Sequence, residues 1–265
     1  MGYSVLSSEE VEQFVELGYV VLREAFPREV AAQGRQFLWG EFEREFGLDE
    51  HNPDTWTEPY MLIRRSYTEP PFSHCVTSRL LEACDDLLGR DRYEKPTGLG
   101  WWPATFPGLA EPPWQAPEHG WHVDGIQFHH HIDSRDQGLL PIFLFSDIEP
   151  GTCGTAISVG SHKITARVLV DAEPGGLDDA ELTRRVLRHP REKVLEMAGQ
   201  AGDVVLLHPF MLHAASANTG TTVRFICNPC IPLHEPMNLD REDAKLYSPL
   251  ERSIVTALTE STIAV

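Results

Sequence analysis

The run Leu139-Leu140-Pro141-Ile142-Phe143-Leu144-Phe145-Ser146 constrains the fold most, because it is almost continuously apolar over the length of a strand. A strand wetted on one side alternates polar and apolar residues, so a run without alternation needs cover on both faces. Pro141 sits near its start, where a missing N–H is tolerated. Val204-Val205-Leu206-Leu207, entered through the turn Ala201-Gly202-Asp203, reads as a second buried strand. A central sheet with helices around it, mainly β in class, is the expectation for these 265 residues.

The chemistry-bearing residues lie beside those strands. After Val204–Leu207 come His208-Pro209-Phe210-Met211-Leu212-His213, a polar turn, and the return strand Thr222-Val223-Arg224-Phe225-Ile226. An arginine in so apolar a strand needs an anionic partner, since a buried unpaired charge is costly. Its planar fork suits a carboxylate. Upstream stands Gly120-Trp121-His122-Val123-Asp124-Gly125. Read as a strand, it places His122 and Asp124 on one face, where both can point at one divalent metal. With His213 they would form a 2-His-1-carboxylate set, which holds non-haem Fe(II) and leaves positions open. A neighbouring buried arginine suits 2-oxoglutarate, chelating through its keto acid and pairing through its far carboxylate. His-X-Asp alone is a weak signal in a chain with twelve histidines.

His122-X-Asp124, His213, Arg224 and the stretch Gly151-Thr152-Cys153-Gly154-Thr155-Ala156-Ile157-Ser158-Val159-Gly160-Ser161-His162-Lys163 together resemble the phytanoyl-CoA dioxygenase (PhyH-like) family. Phe14-X-X-X-Gly18-Tyr19-Val20-Val21-Leu22 is similar as well, so the resemblance runs from about residue 7 to 230. It implies a double-stranded β-helix (jelly roll, cupin-like) core and an Fe(II)- and 2-oxoglutarate-dependent oxygenase that consumes O2. Its metal ligands would be His122, Asp124 and His213, with Arg224 binding 2-oxoglutarate. His162 belongs to the Gly-Ser-His turn signature, whereas His213 carries the correctly spaced arginine. Related halogenases have a small residue where Asp124 stands, so hydroxylation is expected, with desaturation, epoxidation and cyclisation open to the same oxidant. One departure is Ala215, where many members have a serine beside 2-oxoglutarate; Thr222 or Thr155 is expected to supply that hydroxyl.

The flanks are read as one PhyH-like domain over residues 1–265, with a helical region to about 90, the β-helix core over 93–230 and an extension over 231–265. Ser7 and the acids after it start a helix bearing Val11, Phe14 and Leu17, which stops at Gly18. A second helix from about Arg28 to Phe46 buries Val30, Phe37, Leu38 and Phe42, a third spans Val76 to Leu88, and a last one Tyr247 to Ile263. Residues 51–69 read as an ordered loop, 106–118 as a proline-rich loop, and 171–192 as an excursion that is either a lid or a solvent-facing insertion.

The formal net charge of −18 argues against a nucleic-acid backbone as partner. No run reaches the roughly twenty apolar residues needed to span a bilayer. Five cysteines without a framework spacing suit reduced thiols, and a cytoplasmic monomer or homodimer is expected. The substrate is expected to be a small metabolite, of secondary or amino-acid metabolism, in an aromatic pocket. Trp56, Tyr60, Arg64, Trp102, Trp121, Gln127 and His129 are its candidate contacts. His129-His130-His131 alternate in direction and cannot all reach one ion. A cupin-like binding module without turnover, or an interaction protein with a coincidental triad, are the competing classes.

Overall fold

The computed structural model describes residues 2–263, and side chains through residue 260. Helix α1 (Ser8–Leu17) opens on a capping box in which Ser7 and Glu10 satisfy each other's backbone N–H, and it ends at Gly18. Gly18 is left-handed (φ 85°), and a Cβ there would strike Met211 and the His162 ring. The chain can therefore turn straight into β1 (Tyr19–Leu22). Helix α2 (Arg28–Phe46) buries Leu38 and Phe42, whereas Phe37 is largely exposed and meets Tyr67 and Phe72 edge-on. The expected loop over 51–69 contains a strand, β2 (Tyr60–Ile63), and α3 (Ser78–Leu88) follows.

The core strands are β3 (Trp102–Thr105), β4 (Leu140–Leu144), β5 (Thr155–Ser158), β6 (Val194–Met197), β7 (Val204–Leu207), β8 (His213–Ala214) and β9 (Arg224–Cys227). One sheet has the order β1-β7-β4-β9-β3-β2, and the other β6-β5-β8; the paired strands run antiparallel. This two-sheet, helix-flanked core is a double-stranded β-helix. The two apolar runs become β4 and β7, neighbours inside the larger sheet with every residue buried.

The Gly-Ser-His stretch is more than a turn: it opens helix α4 (Ser161–Val170) from a left-handed Gly160. Ser161 Oγ accepts the N–H of Leu212 at 2.8 Å, which fixes the backbone entering His213. The excursion carries helix α5 (Asp179–Val186), capped by Asp178. It lies against the His-X-Asp segment: Thr183 Oγ1 accepts the N–H of Val123 at 3.1 Å, and Arg191 sits over the Trp121 ring. Helix α6 (Pro249–Ile263) packs on α1, α3 and α4 of its own chain. Among the described residues no helix is long and apolar enough to cross a membrane.

Candidate metal and co-substrate centre

His122 and His213 face each other across an antiparallel bridge, each N–H donating to the other's carbonyl at 2.9 and 3.0 Å. Residues paired in this way project to the same side. The His-X-Asp segment is thus held by one bridge rather than lying in a regular strand. The rings sit 4.3 Å apart, and Asp124 closes the group: its Oδ1 is 3.1 Å from His122 Nε2 and its Oδ2 is 3.7 Å from His213 Nε2. One donor atom from each of the three lies within 4.8 Å of the others.

The remaining ring nitrogens define the tautomers. His122 Nδ1 donates to the Gly120 carbonyl at 2.8 Å and His213 Nδ1 to the Met211 carbonyl at 3.0 Å, since a carbonyl can only accept. Both Nε2 atoms are left facing Asp124, the orientation that outer hydrogen bonds impose on metal-binding histidines. Burial, together with the neighbouring His122, pushes the His213 pKa down to about 4, so that ring is neutral at physiological pH. For Asp124, burial pushes upward but is outweighed by the two imidazoles and the Asn228 amide, and the carboxyl stays below its usual range. Burial opposes the charge on His122 too, but the contact with Asp124 wins and raises its pKa.

Asn228 was not picked out by sequence reasoning. Its Nδ2 donates to Asp124 Oδ2 at 3.3 Å, and its buried Oδ1 has no partner among the described residues. The period-two series Arg224, Ile226, Asn228 was the available signal.

Arg224 reaches from the larger sheet to the smaller one. Its Nη1 donates to the Cys153 carbonyl at 3.0 Å and to Thr155 Oγ1 at 3.2 Å, while Nε and Nη2 are buried without partners among the described residues. Burial pushes the guanidinium pKa down from its usual value, and no carboxylate among the described residues pairs with it. A cavity of about 60 Å³ lies here, lined among others by Arg224, Thr155, His122, His213 and Ala215. Thr222 does not line it: β9 begins only at Arg224, and Thr222 is exposed in the turn before it. Thr105, paired with Arg224 across the sheet, has a buried hydroxyl without a partner among the described residues.

A larger cavity of about 200 Å³ adjoins, sharing Tyr60, Pro103, His122 and Asn228 with the first. Tyr60, Trp101 and Gln127 line it; Arg64 is exposed and is not among the lining residues, but rests over the Trp101 ring. Several expected contacts lie elsewhere. Trp102 is fully buried on the opposite face, donating its indole N–H to the Arg65 carbonyl, and Trp101 takes the cavity position. Trp56 stacks on Trp39, Trp121 is buried and bound to the Pro117 carbonyl, and His129 donates to the Gly175 carbonyl; none of these lines either cavity. His162, buried, donates to the Val15 carbonyl.

The residues present fit an Fe(II) and 2-oxoglutarate pair on two counts. The donor set is two neutral-capable imidazoles and one carboxylate. The buried guanidinium, with two idle N–H-bearing nitrogens, has an unmet need for an anion. Known proteins agree. The family model described as phytanoyl-CoA dioxygenase (PhyH) matches residues 4–226. Among solved structures, apo EctD from S. alaskensis superposes with a TM-score of 0.52 at 18% identity, covering 91% of this chain and 84% of that one. HygX from Streptomyces hygroscopicus, with nickel, 2-oxoglutarate and hygromycin B bound, gives 0.50 at 17% identity over 91% and 94% of the two chains. The non-heme alpha-ketoglutarate-dependent carbocyclase SnoK, from nogalamycin biosynthesis, gives 0.50 at 16% identity over 93% and 92%. No curated protein sequence matches. The family match and the donor cluster support general Fe(II)- and 2-oxoglutarate-dependent oxidation chemistry, on a fold the solved structures share.

Proposed function

The chain belongs to the phytanoyl-CoA dioxygenase (PhyH) family, and from that premise we propose that it hydroxylates an unactivated C–H bond of a small organic molecule, with release of succinate and CO2. His122, Asp124 and His213 would hold Fe(II), and Arg224 the far carboxylate of 2-oxoglutarate. The observation that carries this reading is the Arg224 guanidinium, buried beside the donor cluster with two nitrogens unpaired. When bound, iron and 2-oxoglutarate together supply the oxidant by oxidative decarboxylation of the keto acid.

The chain's own residues provide the setting. The Gly120 and Met211 carbonyls take the Nδ1 hydrogens and so aim both Nε2 atoms inward. Asn228 holds one oxygen of Asp124, so the carboxylate cannot swing away from the histidines. Thr155 and the Cys153 carbonyl set the plane of the guanidinium. In the larger cavity Tyr60, Trp101 and Leu62 exclude water from the substrate's apolar body, while Gln127 offers it a hydrogen bond. All five cysteines are free, which suits a reducing, cytoplasmic setting.

The test is to add Fe(II) and then 2-oxoglutarate to the protein without oxygen and record the visible spectrum. A weak charge-transfer band is expected in wild type and its loss in Asp124→Ala. A well-folded wild type with no band and no iron affinity would leave only a binding or interaction role.

A further inference from the structure

Strands β9, β3 and β2 lie side by side, and their register sorts the residues into rows. Arg224 pairs with Thr105 and Thr105 with Tyr60; Pro103 pairs with Leu62. The bond from the Asn228 N–H to the Trp101 carbonyl carries the same register one step beyond the strands. Side chains alternate, so Tyr60, Leu62 and Arg64 share one face with Trp101, Pro103, Arg224, Ile226 and Asn228. All of these but Arg64 line one or both cavities, and Arg64 stands beside them on the Trp101 ring. The opposite face carries Ile63, Trp102 and Phe225 into the core, and Arg65 to Glu41, Glu45 and Tyr67.

The cavity face thus bears an arginine at each of two opposite corners, Arg224 and Arg64, two rows and two strands apart. With row and strand spacings of ordinary sheets, their Cα atoms are separated by roughly 17 Å. The neighbouring arginines differ in company. Arg65 has two carboxylates, whereas Arg64 has no acidic partner among the described residues and rests 5.4 Å over the Trp101 ring. Trp101 is itself held at φ 63°, a conformation rare for a bulky residue, which turns the chain before Trp102 enters the core. No lysine or arginine lines the larger cavity among the described residues; the exposed Arg64 adjoins it through its stack on the Trp101 ring.

Resting on the oxygenase reading above, we propose that Arg64 anchors the substrate, and that the substrate is a small monocarboxylic acid with a flat, apolar body. A lone guanidinium stacked on an indole suits one planar carboxylate, which it can grip in a fork, better than a phosphate dianion needing several donors. The row Asn228–Trp101–Arg64 then gives the orientation. Its carboxylate lies at the Arg64 end, its body crosses the Trp101 face, and the C–H to be oxidised lies at the Asn228 end, beside Asp124. Those ends are about 10 Å apart between backbones, two strand spacings. The unpaired Asn228 Oδ1 accepts a donor group near the reacting carbon.

The test uses protein loaded with Fe(II) and saturating 2-oxoglutarate without oxygen, so that Arg224 is occupied and the charge-transfer band is seen first. Benzoate, phenylacetate, 3-phenylpropanoate and 4-phenylbutanoate, each beside its primary amide, are then titrated by calorimetry. At least one acid is expected to bind tenfold or more tighter than its amide, with that preference lost in Arg64→Gln and kept in Arg65→Gln. With the band present, equal binding of acids and amides, a preference that survives Arg64→Gln, or no binding by any acid overturns the proposal alone. Absence of the band overturns the oxygenase reading beneath it.

Discussion

Two histidine pairs in this molecule invite comparison. His122 and His213 have ring centroids 4.3 Å apart, and His162 and His208 have theirs 4.8 Å apart. In both pairs burial drives at least one ring neutral: His213 and His162 are each pushed down to about 4, and His208 well below its usual value. The similarity ends there. Around the first pair, both Nδ1 atoms are tied to carbonyls, both Nε2 atoms face a carboxylate, and a cavity opens beside them. Around the second, His208 Nδ1 accepts from the Phe210 N–H and His162 Nε2 donates to Val15, leaving one unpaired nitrogen on each ring. No acid completes that pair: the described residues contain one potential metal cluster, and it is the first. Proximity and neutrality of imidazoles therefore do not make a metal site; an adjacent carboxylate and open volume do.

The harshest way to break the comparison is Asp124→Ala, which reduces the first pair to the condition of the second. Outer partners of metal ligands are worth about 10–100-fold in affinity, so loss of a ligand itself is expected to weaken Fe(II) binding by more than about 100-fold. Calorimetric titration with Fe(II) under nitrogen measures it. Unchanged affinity in Asp124→Ala would place the metal elsewhere. Arg224→Leu attacks the neighbouring volume rather than the donors. Fe(II) affinity is expected to hold, while 2-oxoglutarate affinity falls by the roughly 2–5 kcal/mol typical of a truncated buried charge pair. Equal 2-oxoglutarate affinity in wild type and variant would remove Arg224 from the co-substrate site.

The two pairs also differ in how legible they were in the sequence. His122, Asp124 and His213 stood out because His-X-Asp, a later histidine and a strand arginine form a spaced pattern, and β4 and β7 because apolar runs without alternation must be inner strands. Thr222 was misplaced because the strand was assumed to begin two residues early; a turn shared with Asn218 leaves it exposed. Trp102 was chosen over Trp101 because alternation says that neighbours diverge but not which one faces the cavity. That choice depends on β2 and β9 as partners of β3. Strand β2 was itself hidden, a four-residue apolar run between Pro59 and two arginines. Asn228 lay just past the apolar run, where periodicity is no longer read.

Asn228→Ala sharpens the comparison more gently, since it leaves all three donors in place. Freeing Asp124 Oδ2 is expected to weaken Fe(II) binding about tenfold, the lower end for an outer-shell partner. An affinity within twofold of wild type would mean that the two histidines alone orient the carboxylate.

The second pair makes its own prediction, in stability rather than chemistry. His162 and His208 are neutral in the folded protein, while in the unfolded chain each takes up a proton near its ordinary pKa of 6.5. Folded pKa values below the unfolded ones mean that the unfolded state binds more protons under acid conditions. Stability is therefore full above pH 6.5 and declines as pH falls from there toward about 4, where His162 itself begins to titrate. Each neutral histidine contributes at most about 1.4 kcal/mol per pH unit to that slope. His208→Asn keeps an acceptor for the Phe210 N–H but cannot be protonated, so it is expected to flatten the slope of unfolding free energy between pH 6.5 and 4.5. Denaturant unfolding across that range measures the slope. Parallel curves for wild type and variant would show that His208 is already protonated in the fold, and that its neutrality, unlike that of His213, is not enforced by burial.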